Sequence, residues 1–477
     1  MTKSGAGGEG GAKKDFRAGG AWRNKSPWSS AMRREEDGDP YRLPFNLLYL
    51  FTLLLYVRPN DLLPVLGTFP QAKIVATIAP LTYIYAQHRL GKPIINWTIE
   101  VKMVMLMLFL AILFTPVAAS PGDSFTTLSE VFIKTVVIFL LIVGVVNTRR
   151  RLQAIIKLTV ICGTWLAVFA IKNYATGNFT LKGDRIEGLV GGMFGNPNDL
   201  ATAFDMLIPL AVALALMNAG AWRLFYAVCA LLLCCGVMVT FSRAGFISLA
   251  AISGVMLWKF GRGSRSSVAV ATLVVVVILL SVFSSGYSSR LKTILNPNSD
   301  PSGSAQQRME LMKRGLELSI RHPIIGLGMG NFHIFSIKEK VAHNSYLETA
   351  AELGGIGLLA YLIIILAPLG GLSKIEKETV KSGADVDARY LSIGLQAVLI
   401  AYVINSFFAS IQYFWYLYYA AGFAIALRLI HAAEKAAQAK EGGAALPDQL
   451  QFGNLWKSAP RKLPGHLWPA YRFRREF

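Results

Sequence analysis

Residues 131–151 read VFIKTVVIFLLIVGVVNTRRR, an apolar run with one lysine that is closed by three arginines. A helix of roughly 17–25 mostly apolar residues crosses the hydrocarbon core of a bilayer. Similar runs recur near residues 43–58, 71–87, 100–118, 127–147, 152–175, 198–217, 223–241, 243–260, 267–286, 344–368, 390–410 and 412–431. The sequence therefore predicts an all-α, polytopic membrane protein with about 12 transmembrane helices.

The composition supports the membrane class. Of the 477 residues, 53% are hydrophobic and 16% are charged, which is typical of chains that spend their length on spanning helices. The formal net charge of +20 is also a feature of nucleic-acid-binding proteins. Here, however, the basic residues lie in both tails and in every second short loop, as in membrane proteins. We therefore expect contact with membrane lipids and no nucleic-acid partner.

The distribution of Lys and Arg predicts the orientation in the membrane. The basic segments that fall on one side of the predicted spans are 88–92, 149–151, Arg223, 259–265, 374–389 and 432–477. Basic loops face the cytoplasm, so an even number of spans places both termini there. We expect a disordered cytoplasmic tail at 1–42, a transmembrane domain at 43–431 and a basic cytoplasmic tail at 432–477.

The outer side carries two longer loops, 176–197 and 287–343, and long loops in compact proteins are often functional. The second loop precedes the tenth predicted span. In it, residues 304–321 combine a serine start, good helix formers and a mixed apolar face. This pattern predicts an amphipathic helix on the membrane surface, ended by Pro323 and followed by three glycines that favour tight turns.

Arginines on the outer side oppose the usual bias of basic residues toward the cytoplasm, so each needs a reason. We consider Arg185 in the first outer loop, Arg243 in a tight turn between two spans, and Arg308 and Arg321 in the predicted surface helix. A snorkelling cation, or a partner for Asp or Glu, is one interpretation. A planar, permanently charged guanidinium is also suited to binding a diphosphate. We take Arg243 and Arg308 as candidate catalytic residues, and Arg185 and Arg321 as candidates for substrate binding.

His343 lies where the second outer loop enters a predicted span, next to Asn344. Glu348 and Glu352 follow, four residues apart on one helix face. A histidine at a helix start is often a cap or a satisfied polar residue. Carboxylates at membrane depth need a partner or a function, however, and a neutral imidazole can accept a proton from a sugar hydroxyl near pH 7. We take His343 as a candidate base, and Asn344 and Glu348 as candidate substrate-binding residues.

A second polar group starts the sixth predicted span. Asn196-Pro197-Asn198-Asp199 is typical of a turn and helix cap, and we take Asn198 and Asp199 as candidate substrate-binding residues. Asp205, about two turns further on, is a candidate for a pocket. The sequence has no P-loop, dinucleotide-binding or zinc-binding motif, and its four cysteines lie inside apolar runs. We expect no metal and no cofactor.

Five motifs, taken in order, resemble the O-antigen ligase family. They are Phe194-Gly195-Asn196-Pro197-Asn198-Asp199, Thr240-Phe241-Ser242-Arg243-Ala244-Gly245, Arg308 with Leu311, His322-Pro323-Ile324-Ile325-Gly326-Leu327-Gly328, and His343-Asn344-Ser345-Tyr346-Leu347-Glu348. The resemblance implies a metal-independent, inverting glycosyltransferase of the bacterial inner membrane. Such an enzyme takes a glycan from undecaprenyl diphosphate at the periplasmic face. The resemblance further implies that Arg243 and Arg308 bind the diphosphate and that His343 is the base.

The acceptor distinguishes the alternatives within this family. Ligases use a sugar of lipid A–core, polymerases use another lipid-linked repeat, and related enzymes use a protein hydroxyl. We expect a ligase, with a polysaccharide polymerase as the alternative because both use the same donor. A transporter of the lipid-linked glycan is an alternative of another class, since it would suit many spans with intramembrane charges. Against a transporter, the two halves of the sequence show no repeat, and the polar residues concentrate on one face.

Overall fold

A computed structural model describes residues 39–67, 69–178, 186, 188–260 and 304–441. Within these residues the regular structure is helical, which confirms the predicted all-α fold class. The longer helices, numbered in chain order, are α1 Arg42–Val57, α2 Gln71–Leu90, α3 Ile99–Phe114, α4 Pro121–Val145, α5 Arg149–Ala175, α6 Pro197–Met217, α7 Gly220–Val239, α8 Arg243–Phe260, α9 Ser304–Arg321, α10 Ser345–Ser382, α11 Val386–Phe408 and α12 Trp415–Glu441.

Nine helices in the described part of the chain are long and apolar enough to cross a membrane, namely α3 to α8 and α10 to α12. Two further predicted spans coincide with α1, which has 16 residues, and with α2. The predicted span at 267–286 lies outside the described residues, so the count of about 12 stays a prediction. α12 continues past residue 431 to Glu441, into the segment predicted as a tail.

α6 is the most deeply buried of these nine helices. Its start is well defined, because the Asn196 side chain accepts the N–H of Asn198 and Pro197 occupies the first helical turn. All residues from 200 to 216 are buried, as expected for a helix that is apolar on every side. α5, α7, α8 and α11 pack around it. α6 therefore fixes the positions of the polar residues at its N-terminus.

Charged residues from the predicted cytoplasmic loops meet at one end of the helices. The ion pairs there are Arg149 with Asp385 and Glu434, Arg151 with Asp39, Lys259 with Glu376, and Lys435 with Glu378. His431 lies between two carboxylates of the same cluster. We call this cluster the paired-charge end. It brings together loops that the charge pattern assigns to one side of the membrane.

The opposite ends of the same helices carry the predicted site residues. α8 ends at the paired-charge end with Lys259, so Arg243 at its start lies at the other end. By the same reasoning His343, just before α10, and the segment 409–414 between α11 and α12 also lie there. We call this region the histidine end. The order of the helices therefore gathers the candidate residues on the side away from the paired charges.

Candidate functional site

The backbone around His343 is held in an unusual conformation. His343 has φ 51°, in the left-handed region that residues with side chains rarely adopt. Its N–H donates to Ser410 Oγ at 3.0 Å. The next residue, Asn344, caps α10, since its Oδ1 accepts the N–H groups of Tyr346 at 3.1 Å and Leu347 at 3.0 Å. The turn that presents the imidazole is thus fixed on both sides.

Glu348 is the buried anchor of this turn. Its Oε2 accepts the N–H of Ala342 at 2.8 Å and a hydrogen bond from Ser410 Oγ. Its Oε1 accepts Gln412 Nε2 at 3.0 Å. Glu348 therefore joins the residue before His343 to the segment that bonds His343 itself. Sequence reasoning found Glu348 but missed Ser410 and Gln412, which are neutral residues in a short loop.

The electrostatic surroundings of His343 favour a neutral imidazole. Burial, then the positive charges of Arg308 and Lys340, lower the pKa of His343 to about 4. A cation loses favourable hydration when it is buried and is repelled by like charges, so both effects disfavour the protonated ring. At pH 7 the ring is therefore neutral and can accept a proton. The repulsion also means that Arg308 lies within electrostatic reach of His343.

α9 places Arg308 by packing against the start of α10. Leu311 and Leu318 of α9 are buried. At Gly315 the helices approach so closely that an added Cβ would lie 3.2 Å from Leu347 Cβ, and Ser319 Oγ donates to the Leu347 carbonyl at 3.3 Å. The predicted helix over 304–321 is thus confirmed, with one face on the protein.

Arg321 has a different environment from Arg308. It is the last residue of α9, where its side chain is 64% exposed and pairs with Glu317 at 2.6 Å. Along a helix the two arginines are about 20 Å apart. The structure does not bring Arg321 to His343, and its role in substrate binding stays a prediction. Arg185, the other predicted substrate-binding arginine, lies outside the described residues.

A break in α10 holds the glycine-rich segment that follows α9. Gly354 has φ 68° and ψ −174°, which interrupts the helical hydrogen bonds. The carbonyls of Ala351 and Glu352 instead accept the N–H groups of Leu327 at 2.8 Å and Gly328 at 3.0 Å. A Cβ at Gly354 would lie 2.2 Å from the Ile324 carbonyl oxygen. The outer loop is therefore attached to α10 through backbone contacts that only glycine permits.

Ser242, the residue before Arg243, contacts Asn198 where the N-termini of α6 and α8 come together. Ser242 Oγ donates to Asn198 Oδ1 at 3.1 Å, and it also accepts the N–H of Gly245 at 3.2 Å, as a helix cap does. Arg243 is the first residue of α8 and is partly exposed. The positive ends of two helix dipoles and a guanidinium thus lie together at the histidine end, an arrangement that favours an anion.

The segment from 409 to 416 runs between these two groups of residues. Near its start, Ser410 and Gln412 bond Glu348 on the His343 side. At its end, Tyr416 Oη donates to the Asp199 carbonyl at 3.1 Å on the Asn198 side. No hydrogen bond to the carboxylate of Asp199 occurs within the described residues. One short segment therefore connects the base candidate with the Arg243 region.

Asp205 does not belong to this site. It is fully buried, and Asn405 Nδ2 of α11 donates to its Oδ2 at 3.0 Å. On α6 it lies about 10 Å from Asn198, deeper in the helices. As for metals, no group of three or more His, Cys, Asp and Glu side chains in the described part of the chain is arranged to hold an ion.

The segment that carries Arg243, Arg308 and His343 is similar to a known protein family. Residues 228–362 match the family model described as O-Antigen ligase. No curated protein matches the chain. The matched segment contains Arg243, Arg308 and His343, and it confirms the resemblance carried by the sequence motifs.

Proposed function

Because the chain belongs to the O-antigen ligase superfamily, we propose that it is a ligase-type glycosyltransferase. It transfers a polysaccharide from undecaprenyl diphosphate to a sugar of lipid A–core. The reaction takes place at the periplasmic face of the inner membrane, with both termini in the cytoplasm. Transfer is metal-independent and inverts the anomeric configuration.

His343 is the base in this proposal. An acceptor hydroxyl oxygen attacks the anomeric carbon of the donor sugar while its proton moves to the neutral imidazole. The bond between the anomeric carbon and the diphosphate oxygen breaks, and the diphosphate leaves with the electron pair. A single displacement of this kind inverts the configuration at that carbon. The hydrogen bonds of Ser410 and Glu348 support this role, because they fix the turn that presents the ring.

Arg243 and Arg308 stabilise the leaving group. The negative charge on the diphosphate grows as the bond to the sugar breaks, and positioned guanidinium groups lower the energy of that state. The observation that carries the proposal is the packing of α9, which bears Arg308, against the start of α10, which begins just after His343. It brings an anion-binding group to the base, as a displacement with a diphosphate leaving group requires.

Donor binding would also tune the base. In the absence of donor, burial and then the positive charge of Arg308 lower the pKa of His343. A diphosphate bound at Arg308 offsets that positive charge and raises the pKa of the imidazole, which brings the pKa closer to pH 7. A base with a pKa nearer the working pH accepts a proton more effectively. The histidine thus becomes a stronger base when the donor is in place.

An assay with two acceptors tests this function and separates it from the alternative. Purified full-length protein is incubated with undecaprenyl-diphosphate-linked glycan, EDTA and either lipid A–core or further donor alone. A ligase shifts lipid A–core to higher mass on a gel, and His343→Ala and Arg243→Ala abolish the shift. Extension of the lipid-linked chain in place of lipid A–core would identify a polymerase. Transfer to neither acceptor by folded protein would contradict both.

A further inference from the structure

The element that follows α1 places one more arginine at the histidine end. α1 ends at Arg58, whose φ of 44° and ψ of 67° are left-handed. Its N–H donates to the Leu54 carbonyl at 3.0 Å. This conformation is strained for a residue with a side chain, and the contacts of its guanidinium with neighbouring segments hold it there.

Asp61 fixes the guanidinium of Arg58 against the first outer loop. Arg58 Nε donates to Asp61 Oδ2 at 2.7 Å, and the same oxygen accepts the N–H of Gly191 at 2.7 Å. An added Cβ at Gly192 would lie 1.9 Å from Arg58 Nη1. The rings of Tyr56 and Phe194 lie 5.1 Å apart beside this contact. Arg58 is therefore fitted to the loop, and Gly192 leaves the space that the guanidinium occupies.

This contact lies next to the Arg243 region. The loop that carries Gly191 and Phe194 leads directly into Asn196, the cap of α6. At that same helix start, Asn198 accepts the hydrogen bond from Ser242, the residue before Arg243. Arg58 and Arg243 are thus each attached to the N-terminus of α6, one through the loop that enters it and one through its first turn.

One edge of the Arg58 guanidinium remains available. Asp61 takes the Nε hydrogen, and the two Nη groups make no hydrogen bond within the described residues. The side chain is 36% exposed. A guanidinium edge with two N–H donors is the group that binds phosphate oxygens in a bidentate manner. Asp61 orients this edge and, being a single carboxylate, offsets part of the charge without blocking the edge.

We propose that Arg58 is an additional binding residue for a phosphate group of the lipid-linked donor. It acts at the N-terminus of α6, together with the dipole of that helix. The inference rests on the proposed function, because that function supplies the diphosphate. Phospholipid headgroups share the phosphate chemistry, so the test must distinguish the two sources.

Binding is measured without acceptor, so that no transfer is needed. Undecaprenyl diphosphate is titrated into full-length protein in neutral phosphatidylcholine nanodiscs, for the wild type, Arg58→Gln and Asp61→Asn. Loss of a charged hydrogen-bond pair weakens binding by about 10-fold in Arg58→Gln. Asp61→Asn weakens it less, about 3-fold, because a neutral amide oxygen holds the guanidinium in place less firmly than the carboxylate does. Arg223→Gln is the matched control, an exposed arginine of α7 whose Nε bonds a backbone carbonyl.

The outcomes separate the proposal from its premise. Equal diphosphate affinity in the wild type and Arg58→Gln, at unchanged thermal stability, overturns the role of Arg58. In a second measurement, phosphatidylglycerol that copurifies with each variant is quantified. If Arg58→Gln retains less of this lipid than the wild type but binds the diphosphate equally well, the proposal is also overturned, because the site then binds a headgroup. Diphosphate binding that depends on Arg58 in a protein that transfers no glycan would support Arg58 and contradict the proposed ligase function.

Discussion

Asp385 at the paired-charge end and Glu348 at the histidine end are satisfied by different kinds of hydrogen-bond donor. At the paired-charge end, cations pair directly with anions, as Arg149 does with Asp385 and Glu434. Burial alone would raise the pKa of Asp385, but the hydrogen bonds and positive charge of Arg149, with His431 3.7 Å away, hold that pKa well below its usual range. At the histidine end, Glu348 accepts hydrogen bonds only from neutral groups within the described residues.

This difference indicates that the residues at the paired-charge end stabilise the fold, whereas those at the histidine end take part in the reaction. Removing one partner of a half-buried ion pair leaves the other charge unpaired, which destabilises the fold. A carboxylate that is satisfied by backbone, hydroxyl and amide groups does not need an arginine. The matched charges should therefore affect stability when they are removed, and the residues around His343 should affect transfer.

The two histidines give the largest expected contrast. His343→Gln should lower the rate of glycan transfer about 1,000-fold, since it removes the proposed base. His431→Gln, between Glu378 and Asp385 at the paired-charge end, should leave the rate within about 2-fold, because it removes a group remote from the reaction. Initial rates with saturating donor measure both. If the two variants lost transfer activity to a similar extent, the proposal that only the histidine end takes part in the reaction would be contradicted.

The arginines extend the comparison. Arg243→Gln and Arg308→Gln should each lower kcat about 100-fold, because the leaving diphosphate loses a positive partner. Arg149→Gln should instead lower the stability of the protein by about 2 kcal/mol, because Asp385 and Glu434 lose theirs. Rates and thermal unfolding are measured for all three variants. Normal kcat in Arg308→Gln would contradict its proposed role.

Two glycines of α10 test whether the histidine end depends on the helix break. Gly354→Ala should destabilise the protein by about 3 kcal/mol, since the new Cβ meets the Ile324 carbonyl and the backbone is left-handed. Gly370→Ala is the control in the same helix, where an added Cβ meets nothing within 4 Å. Thermal unfolding measures the effect. Equal stability of the two variants would show that the attachment of the glycine-rich segment contributes little.

The smallest expected effect is the dependence of the transfer rate on pH, which tests the protonation state of His343. The base must be unprotonated, so activity is lost as pH falls through its pKa. The pKa of about 4 in the absence of donor predicts that kcat/KM stays level down to about pH 5. kcat should begin to fall at a higher pH, because bound diphosphate raises the pKa. Full recovery of activity on return to pH 7 controls for unfolding. A fall in kcat/KM centred near pH 6.5, the ordinary value for imidazole, would contradict the described environment.

The sequence predicted the helical membrane fold, and it indicated His343 and Arg243 as candidate site residues, for identifiable reasons. Spanning helices follow from long apolar runs, which are local features. His343 and Arg243 stood out because charged or titratable groups on the outer side of a membrane protein are unusual. Ser410 and Gln412 could not be found in this way. They are neutral, and their hydrogen bonds join residues more than 60 positions apart in the chain.

Arg58 and Arg321 also show that the sequence alone does not predict contacts between distant segments. The sequence predicts Arg321 as a substrate-binding residue and makes no such prediction for Arg58. The structure leaves Arg321 exposed at the end of α9, whereas Arg58 is fitted to the loop at Gly191 and Gly192. Residue type and helix position do not encode such contacts between distant segments. They depend on how α1 packs beside the start of α6.

The most direct test of the proposed reaction is its stoichiometry. Wild-type protein in proteoliposomes is supplied with undecaprenyl-diphosphate-linked glycan and lipid A–core in the presence of EDTA. Released undecaprenyl diphosphate and glycan joined to the acceptor are then both quantified. The account predicts one lipid diphosphate released for each glycan transferred, and neither product with His343→Gln. Movement of intact lipid-linked glycan across the bilayer, with no diphosphate released, would contradict it and favour a transporter.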